Sequence, residues 1–375
     1  MPEMVETEKN SVTKRRPPAP LFHVLYCFAF PGGICYNDPV REVISMQAYD
    51  RISRYKGALM GIMILIVVYG HLLYYHSGCQ LYQFLGPEEW YTVGSVDIFL
   101  FLSGFGISFS LKKNGDPLQF MQRRMSRILP SYLPFIVVYC AFMLWSRQID
   151  VFQALGNLTT FGWWTRMGGQ FNWYIPIQIA AYVISPLLYQ IIDRYGKRAL
   201  WVFPVLFLAD VACVNTSLMM GVSRFPVYFL GMYLGYEAAA GKHPTRRHLV
   251  ISWVLMVVSM VAYYFLCVRW PDGLAAYGFW WHPFLLSTPG CLYMTTWILQ
   301  KMDAWKPTAK VNRGLEFLGG KSFEIYLCHI LIYEIGLYFG VGGWKKWILL
   351  ALCGLTAGTI YSYLVDALVR WRKKL

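Results

Sequence analysis

The stretch from Gly57 to Tyr75 limits what this chain can fold into more than any other feature. It contains no charged residue and is almost wholly apolar, and its length is close to the ~20 residues with which a helix crosses a bilayer. His71 lies inside it. A titratable side chain at membrane depth is costly, so it usually faces a protein interior or a wet cavity and marks a functional position. The alternative is a histidine that only hydrogen-bonds a neighbouring helix.

The composition extends this membrane character to the whole chain. Of the 375 residues, 57% are hydrophobic and 14% are charged, whereas a soluble domain has about 25% charged residues. The net charge of +14 would suit nucleic acid, but the basic residues lie in short loops between apolar runs, as the positive-inside rule produces. We therefore expect an integral membrane protein that binds no nucleic acid. The nine cysteines have no metal-ligand spacing, so no metal site is predicted.

The order of the apolar runs predicts the domain organisation. Residues 1–50 are expected to form a cytoplasmic N-terminal arm with a short interfacial apolar segment, and residues 51–375 a single transmembrane domain. The fold class is therefore all-α, a polytopic membrane protein with about ten transmembrane helices. The runs lie near residues 57–75, 92–111, 129–146, 173–192, 200–214, 223–240, 249–267, 277–299, 322–340 and 346–368.

The loop charges predict the orientation. With the N-terminus inside, all but six of the 34 Lys and Arg residues fall in segments that would be cytoplasmic, and this asymmetry predicts that both termini are cytoplasmic. The six exceptions are Arg147, Arg166, Arg224, Arg269, Lys345 and Lys346.

Once the direction of each span is predicted, the position of a residue along the span gives its depth in the membrane. Two polar residues, His71 and Asp97, are then predicted to lie at nearly the same depth. His71 lies about four residues from the outer end of the first span, and Asp97 about five from that of the second. A carboxylate beside an imidazole fixes its tautomer and raises the basicity of the other nitrogen, as a general base requires. We therefore predict that His71 and Asp97 are catalytic. The alternative is a structural hydrogen bond.

Four more polar residues fall in the outer halves of their spans: Asp210, Arg224, His282 and Glu334. Together with the first pair they predict a polar cavity open to the outside. For Asp210 and Arg224, mutual neutralisation is an equally good interpretation.

On the cytoplasmic side, Arg124 and Arg127 lie three residues apart, on one helical face just before a span. Arginine makes bidentate contacts with phosphate. Charge position alone favours ordinary positive-inside anchoring.

Several short motifs together resemble the acyltransferase type 3 family, polytopic membrane enzymes that O-acylate envelope glycans and related molecules. The resemblance covers roughly residues 50–370. The motifs are Tyr69-Gly-His71, Val96-Asp-Ile-Phe-Leu-Phe-Leu-Ser-Gly104, Arg124-Met-Ser-Arg-Ile-Leu-Pro130, Asn172-Trp173, Arg224-Phe-Pro-Val-Tyr-Phe-Leu-Gly231 and Ser322-Phe-Glu-Ile-Tyr-Leu-Cys-His329.

The resemblance implies a cytoplasmic acyl-CoA donor, usually acetyl-CoA, no permanently bound cofactor, and His71 as the catalytic residue. The family normally has Arg or Lys at the position of Met60, and Lys56 lies one helical turn earlier. Near the C-terminus, Val365-Asp366-Ala367 replaces the usual Glu-x-Pro. With the resemblance, Lys56, Arg124 and Arg127 are expected to bind the donor. The acceptor is assigned to Trp173, Arg224, His282, His329 and Glu334.

The distance along the first span fits this interpretation. Fifteen residues separate Lys56 from His71, about 22 Å of helix, which is comparable to the reach of a pantetheine arm. The sequence thus predicts an inner-membrane O-acyltransferase that acts on an envelope glycan or lipid-linked sugar, with His71 as base or as acyl carrier. The rival is a glycan or lipid transporter of the same fold without acyl-transfer chemistry, favoured by the missing cation at Met60.

Overall fold

A computed structural model describes residues 47–75, 89–270, 272–277, 279 and 282–372. The predicted arm up to residue 46 and the loop 76–88 lie outside these residues. All regular structure in the described residues is helical. The helices are α1 (Ala48–Arg54), α2 (Lys56–Tyr75), α3 (Glu89–Lys113), α4 (Pro117–Trp145), α5 (Val151–Thr159), α6 (Phe161–Trp164), α7 (Tyr174–Tyr195), α8 (Val202–Val211), α9 (Met219–Val222), α10 (Phe225–Ala239), α11 (Arg246–Tyr264), α12 (His282–Ala304), α13 (Lys306–Gly319), α14 (Ser322–Tyr338) and α15 (Trp344–Arg372).

Six described stretches are long and apolar enough to cross a membrane. Helices also occupy the other predicted spans, but α10 and α14 have only 15 and 17 residues. The structure therefore agrees with the all-α membrane fold, and the number of about ten spans stays a prediction. The six stretches are Lys56–Leu73, Gly94–Lys113, Pro117–Trp145, Tyr174–Val211, Arg246–Cys267 and Trp344–Trp371.

The fourth of these stretches contains two helices that run in opposite directions. Trp173, just before α7, lies against the guanidinium of Arg224, 5.8 Å from ring centroid to Cζ. Asp193, near the other end of α7, instead accepts a hydrogen bond of 2.9 Å from the hydroxyl of Tyr236. Asp210, near the end of α8, is again an electrostatic neighbour of Arg224. The chain thus turns back between α7 and α8, as the two predicted spans in this region require.

Helices α3 and α10 run parallel and approach each other at glycines. A Cβ atom on Gly231 would lie 2.2 Å from the carbonyl oxygen of Phe101, and one on Gly235 would lie 2.3 Å from that of Phe105. Small residues let membrane helices pack backbone against backbone in this way. Because any side chain here would collide with the neighbouring backbone, the register between α3 and α10 is fixed.

Helix α13 packs in the same close manner against the start of α2. A Cβ on Gly61 would lie 1.9 Å from the carbonyl oxygen of Leu315, and one on Gly319 would lie 1.8 Å from that of Gly57. Helix α14 begins at Ser322, directly after this contact. Its first turn therefore lies beside Gly61, more than one helical turn into α2.

Candidate active site

The imidazole of His71 contacts a second imidazole, that of His329. Nε2 of His329 lies 3.1 Å from Nδ1 of His71, and the ring centroids are 5.1 Å apart. His329 is fully buried, whereas His71 keeps some exposed surface. Of the two residues, His71 is therefore the more exposed.

Helices α14 and α15 hold the His329 ring in place. Its Nδ1 lies 3.0 Å from the carbonyl oxygen of Ile325, and the hydroxyl of Tyr333 donates a hydrogen bond of 2.9 Å to the carbonyl of Val68 on α2. On the other side, a Cβ on Gly354 would lie 2.8 Å from Cβ of His329. The ring pair therefore depends on a site where α15 has no side chain.

Asp97 does not pair with His71 as the sequence predicted. Its Oδ2 lies 3.3 Å from Nη1 of Arg224, and the two residues are 0% and 1% exposed. The sequence placed Asp97 at the right depth, but its side chain points to α10. The ring that contacts His71 is instead that of His329, which the sequence had assigned to the acceptor.

The other predicted pair is also rearranged. Asp210 does not neutralise Arg224 by direct contact; its Oδ2 lies 2.6 Å from Nε2 of His282. Asp210 is nevertheless an electrostatic neighbour of Arg224, and His282 is one of Asp97. The buried Asp97, Asp210 and Arg224 and the partly exposed imidazole of His282 thus form a single polar network, in which the buried carboxylates and guanidinium lie near opposite charge. Oδ1 of Asp97 and both carboxylate oxygens of Asp210 have no hydrogen-bond partner among the described residues, although Oδ2 of Asp210 lies within ion-pair distance of His282.

Two predicted acceptor residues lie in different places. Trp173 is part of the network, since its ring lies against Arg224. Glu334 instead neighbours Tyr139 of α4, whose ring packs at 4.7 Å on that of Phe171. The structure therefore brings Trp173, Arg224 and His282 together and leaves Glu334 in another cluster.

At the other end of α2, the three predicted donor-binding cations come together. Lys56 is an electrostatic neighbour of both Arg127 and Arg124, and its Nζ lies where α3 has no side chain, 2.8 Å from a Cβ built on Gly106. Met60, at the position of the usual family cation, packs into a hydrophobic cluster instead. The structure therefore places the amine of Lys56, and not the side chain of residue 60, beside these two arginines.

The local sequence of α4 positions Arg124 and Arg127. Asp116 caps this helix by accepting hydrogen bonds from the backbone N–H groups of Leu118 and Gln119, so Arg124 falls two turns inside it. The guanidinium of Arg124 lies 5.2 Å from the ring centroid of Phe120 and 5.8 Å from that of Tyr182. Its Nε is buried without a hydrogen-bond partner among the described residues. The aromatic contacts, which the sequence analysis missed, leave donor capacity for an anionic ligand.

Comparisons with known proteins agree with this geometry. A family model described as an acyltransferase domain, Acyl_transf_3, matches residues 58–367. The matched region contains His71, His329, Arg124 and Arg127, whereas Lys56 precedes it by two residues. No curated protein and no solved structure matches the chain.

Proposed function

Because the chain belongs to the acyltransferase type 3 family, a family of membrane acyltransferases, we propose that it moves an acetyl group from cytoplasmic acetyl-CoA to a hydroxyl of an envelope glycan or lipid-linked sugar. One observation carries this proposal. A single continuous helix, α2, has a cluster of cations at its first residue and an imidazole pair fifteen residues later. The two ends are about 22 Å apart, which suits a donor with phosphates at one end and a thioester at the other.

The cation cluster is the proposed donor-phosphate site. Lys56, Arg124 and Arg127 bring three positive charges together at one end of α2. Charge-assisted hydrogen bonds to phosphate are about twice as strong as neutral ones. The nucleotide part of the donor binds here, and the pantetheine arm extends along α2 towards His71.

In the chemical step, His71 acts as general base. The acceptor O–H bond breaks as its proton moves to His71, and the acceptor oxygen forms a bond to the acyl carbon. The C–S bond then breaks, and the departing CoA thiolate takes the proton from His71 to leave as the free thiol. The products are the acyl ester and CoA, and His71 is returned to its starting state.

The acyl-carrier route is the second chemical candidate. In that route the His71 nitrogen attacks the thioester before the acceptor hydroxyl enters. Rapid mixing of the protein with labelled acetyl-CoA in the absence of acceptor distinguishes the two. A stoichiometric burst of CoA release with label retained on the protein indicates the carrier, and its absence in active protein indicates the base.

The proposed topology has about ten spans, both termini in the cytoplasm and the protein in the inner membrane. Tags at Ser11 and after Leu375 should then be protected in intact spheroplasts, and a tag in the loop 78–88 should be accessible. Accessibility of both terminal tags from outside would overturn this arrangement.

Acetyl transfer by the purified protein tests the proposed function. Protein in lipid nanodiscs is incubated with radiolabelled acetyl-CoA and an envelope-glycan extract, with the His71→Ala variant as control. Label that reaches glycan only with the wild type supports the enzyme. Glycans of a deletion strain, compared with wild type by mass spectrometry, then identify the acceptor.

The transporter without chemistry is the rival outcome. It predicts movement of glycan or lipid across the bilayer with neither label transfer nor thioester hydrolysis. That rival rested on the missing cation at Met60, and the proximity of Lys56 to Arg124 and Arg127 supports the enzyme instead.

A further inference from the structure

The hydrogen bonds of the imidazole pair define which ring nitrogens carry protons. Nδ1 of His329 lies 3.0 Å from the carbonyl oxygen of Ile325. A carbonyl oxygen can only accept, so this Nδ1 must carry the hydrogen. In a neutral imidazole the other nitrogen is then an acceptor. Nε2 of His329 therefore accepts, and its partner 3.1 Å away, Nδ1 of His71, must donate.

The surroundings favour two neutral rings. His329 is fully buried, and no carboxylate contacts either ring in the described part of the chain, where the ion pairs of histidine involve only His243 and His282. A buried imidazolium without a carboxylate partner would be an uncompensated charge. The carboxylate predicted for this place, Asp97, is paired with Arg224.

From these contacts we propose that His329 is a positioning residue that holds His71 in the Nδ1–H tautomer and so leaves the lone pair of His71 Nε2 free to react. The inference rests on the proposed function for its chemical meaning, because it names the atom at which His71 takes the proton. It gives His329 a different part from acceptor binding. It also explains how this site directs a base without an Asp–His pair.

The tautomer matters because only one nitrogen of His71 is turned away from His329. If Nε2 of His71 carried the hydrogen, the lone pair on Nδ1 would face His329. The hydroxyl of the acyl acceptor would then meet an N–H group, which cannot take its proton. In serine proteases, a wrong tautomer of the catalytic histidine costs about 10⁴-fold in rate. During the step, the proton taken from the hydroxyl enters at Nε2 and leaves from Nε2 to the CoA thiolate, while Nδ1–H stays bonded to His329.

Two amide substitutions at one position separate positioning from packing. In His329→Gln the amide oxygen reaches about as far as the lost Nε2, so it still accepts from His71. In His329→Asn the amide reaches only as far as the lost Nδ1, so Nδ1–H of His71 loses its ring acceptor and keeps only the backbone carbonyl of Val67 as a hydrogen-bond neighbour. We expect His329→Gln to stay within about tenfold of wild-type turnover and His329→Asn to lose about 10²–10⁴-fold. Equal losses in both folded variants would overturn the proposal, as would wild-type turnover in His329→Asn.

A spectroscopic measurement tests the inference without any acyl transfer. The chain has seven histidines, so histidine-selective ¹⁵N labelling gives few ring signals, and those of His71 are identified by their loss in His71→Ala. We expect a protonated, pyrrole-type Nδ1 and an unprotonated, pyridine-type Nε2 in the wild type. In His329→Asn the two forms should become mixed. The reverse pattern in the wild type would overturn the assignment.

The two measurements keep the inference distinct from the proposed function. If the wild type transfers no acyl group, the proposed function fails, and the ¹⁵N shifts still decide the tautomer. If transfer occurs and the shifts show Nε2–H, His329 is not the positioning residue and the enzyme remains.

Discussion

Asp97 and Arg224 form a buried ion pair, with Oδ2 of the aspartate 3.3 Å from Nη1 of the arginine, at one end of two parallel helices. The side chain of Lys112 contacts the carbonyl of Ala239 at the other end with the same sequence separation of 127 residues. The glycine contacts between α3 and α10 keep this register. The ion pair therefore has no freedom to relax if one partner is removed.

The first prediction concerns this pair. Arg224→Gln should destabilise the protein by about 3–5 kcal/mol, since it leaves a buried carboxylate uncompensated. Asp97→Asn should cost less, because Asp210 still faces Arg224. The double variant should cost clearly less than the sum of the two, as measured by denaturant unfolding in detergent. If the two effects add within about 0.5 kcal/mol, the residues are independent.

The second prediction concerns His71. His71→Ala should lower transfer by about 10²–10⁴-fold with membrane insertion intact, since general-base help is worth that much. His248→Gln, at an exposed histidine of the α11 cap, is the matched control and should keep full activity. Wild-type activity should fall on acidification, because a protonated imidazole cannot accept a proton. Single-turnover rates across pH check both expectations, and near-normal turnover in folded His71→Ala would move the chemistry elsewhere.

The third prediction concerns the donor. Replacing Arg124 and Arg127 together by Gln should weaken acetyl-CoA binding by about tenfold or more per residue, because a charged hydrogen bond is worth about 1.5–3 kcal/mol. The same change at Arg246 and Arg247, both exposed at the start of α11, removes equal charge and should leave affinity unchanged. Calorimetric titration with acetyl-CoA measures both. Equal affinity in the two double variants would reduce the arginines of α4 to topology signals.

The fourth prediction concerns the glycine beside His329. Gly354→Ala should destabilise the protein by about 1–3 kcal/mol through overpacking, since the new Cβ would lie 2.9 Å from Cα of His329. Transfer should fall by up to about 10²-fold if the ring moves by about 1 Å. Gly314→Ala is the control, because nothing lies within 4 Å of its Cβ position, and it should be neutral or slightly stabilising. Indistinguishable unfolding curves for the two variants would contradict the tight contact.

The helices and the cluster of three cations could largely be predicted from the sequence. Long apolar runs define helices wherever a bilayer is the solvent, and charge between the runs defines direction. The same charge pattern predicted that Lys56, Arg124 and Arg127 lie on one side of the membrane, the cytoplasmic side, and the structure brings these three cations together. Their role in donor binding stays a prediction.

The partners of the buried polar groups could not be predicted in this way. Depth is one coordinate, whereas pairing also depends on the direction in which each side chain leaves its helix and on which helices are neighbours. Asp97 has the depth of His71, but its side chain meets Arg224 instead.

His329 was not placed beside His71 for a related reason. His329 lies eight residues after Lys321, about 12 Å of helix, whereas His71 lies about 22 Å along its helix from Lys56. The sequence therefore places His329 nearer the predicted cytoplasmic surface than His71. Helix α14 begins beside Gly61, because Gly319 packs directly on the backbone of Gly57 and Gly61. Because α14 starts deeper in the bundle than α2, His329 reaches the level of His71 over a shorter length of helix. This offset depends on a glycine contact that the spacing of apolar runs does not reveal.

In the proposed transferase, α2 sets the distance that the donor molecule has to span. Lys56 and His71 lie on one continuous helix, so the distance between them stays constant. Backbone packed on backbone at Gly57 and Gly61 prevents α2 from sliding past α13 and so keeps His329 level with His71. A small acyl phosphate would reach the cations with its carbonyl still about 20 Å from the imidazole, whereas CoA spans both ends. Acyl chains of different length extend beyond the thioester carbon, so they do not change the distance from the phosphates of CoA to that carbon. For the proposed transferase, α2 therefore selects the carrier and leaves the choice of acyl group to the residues around His71.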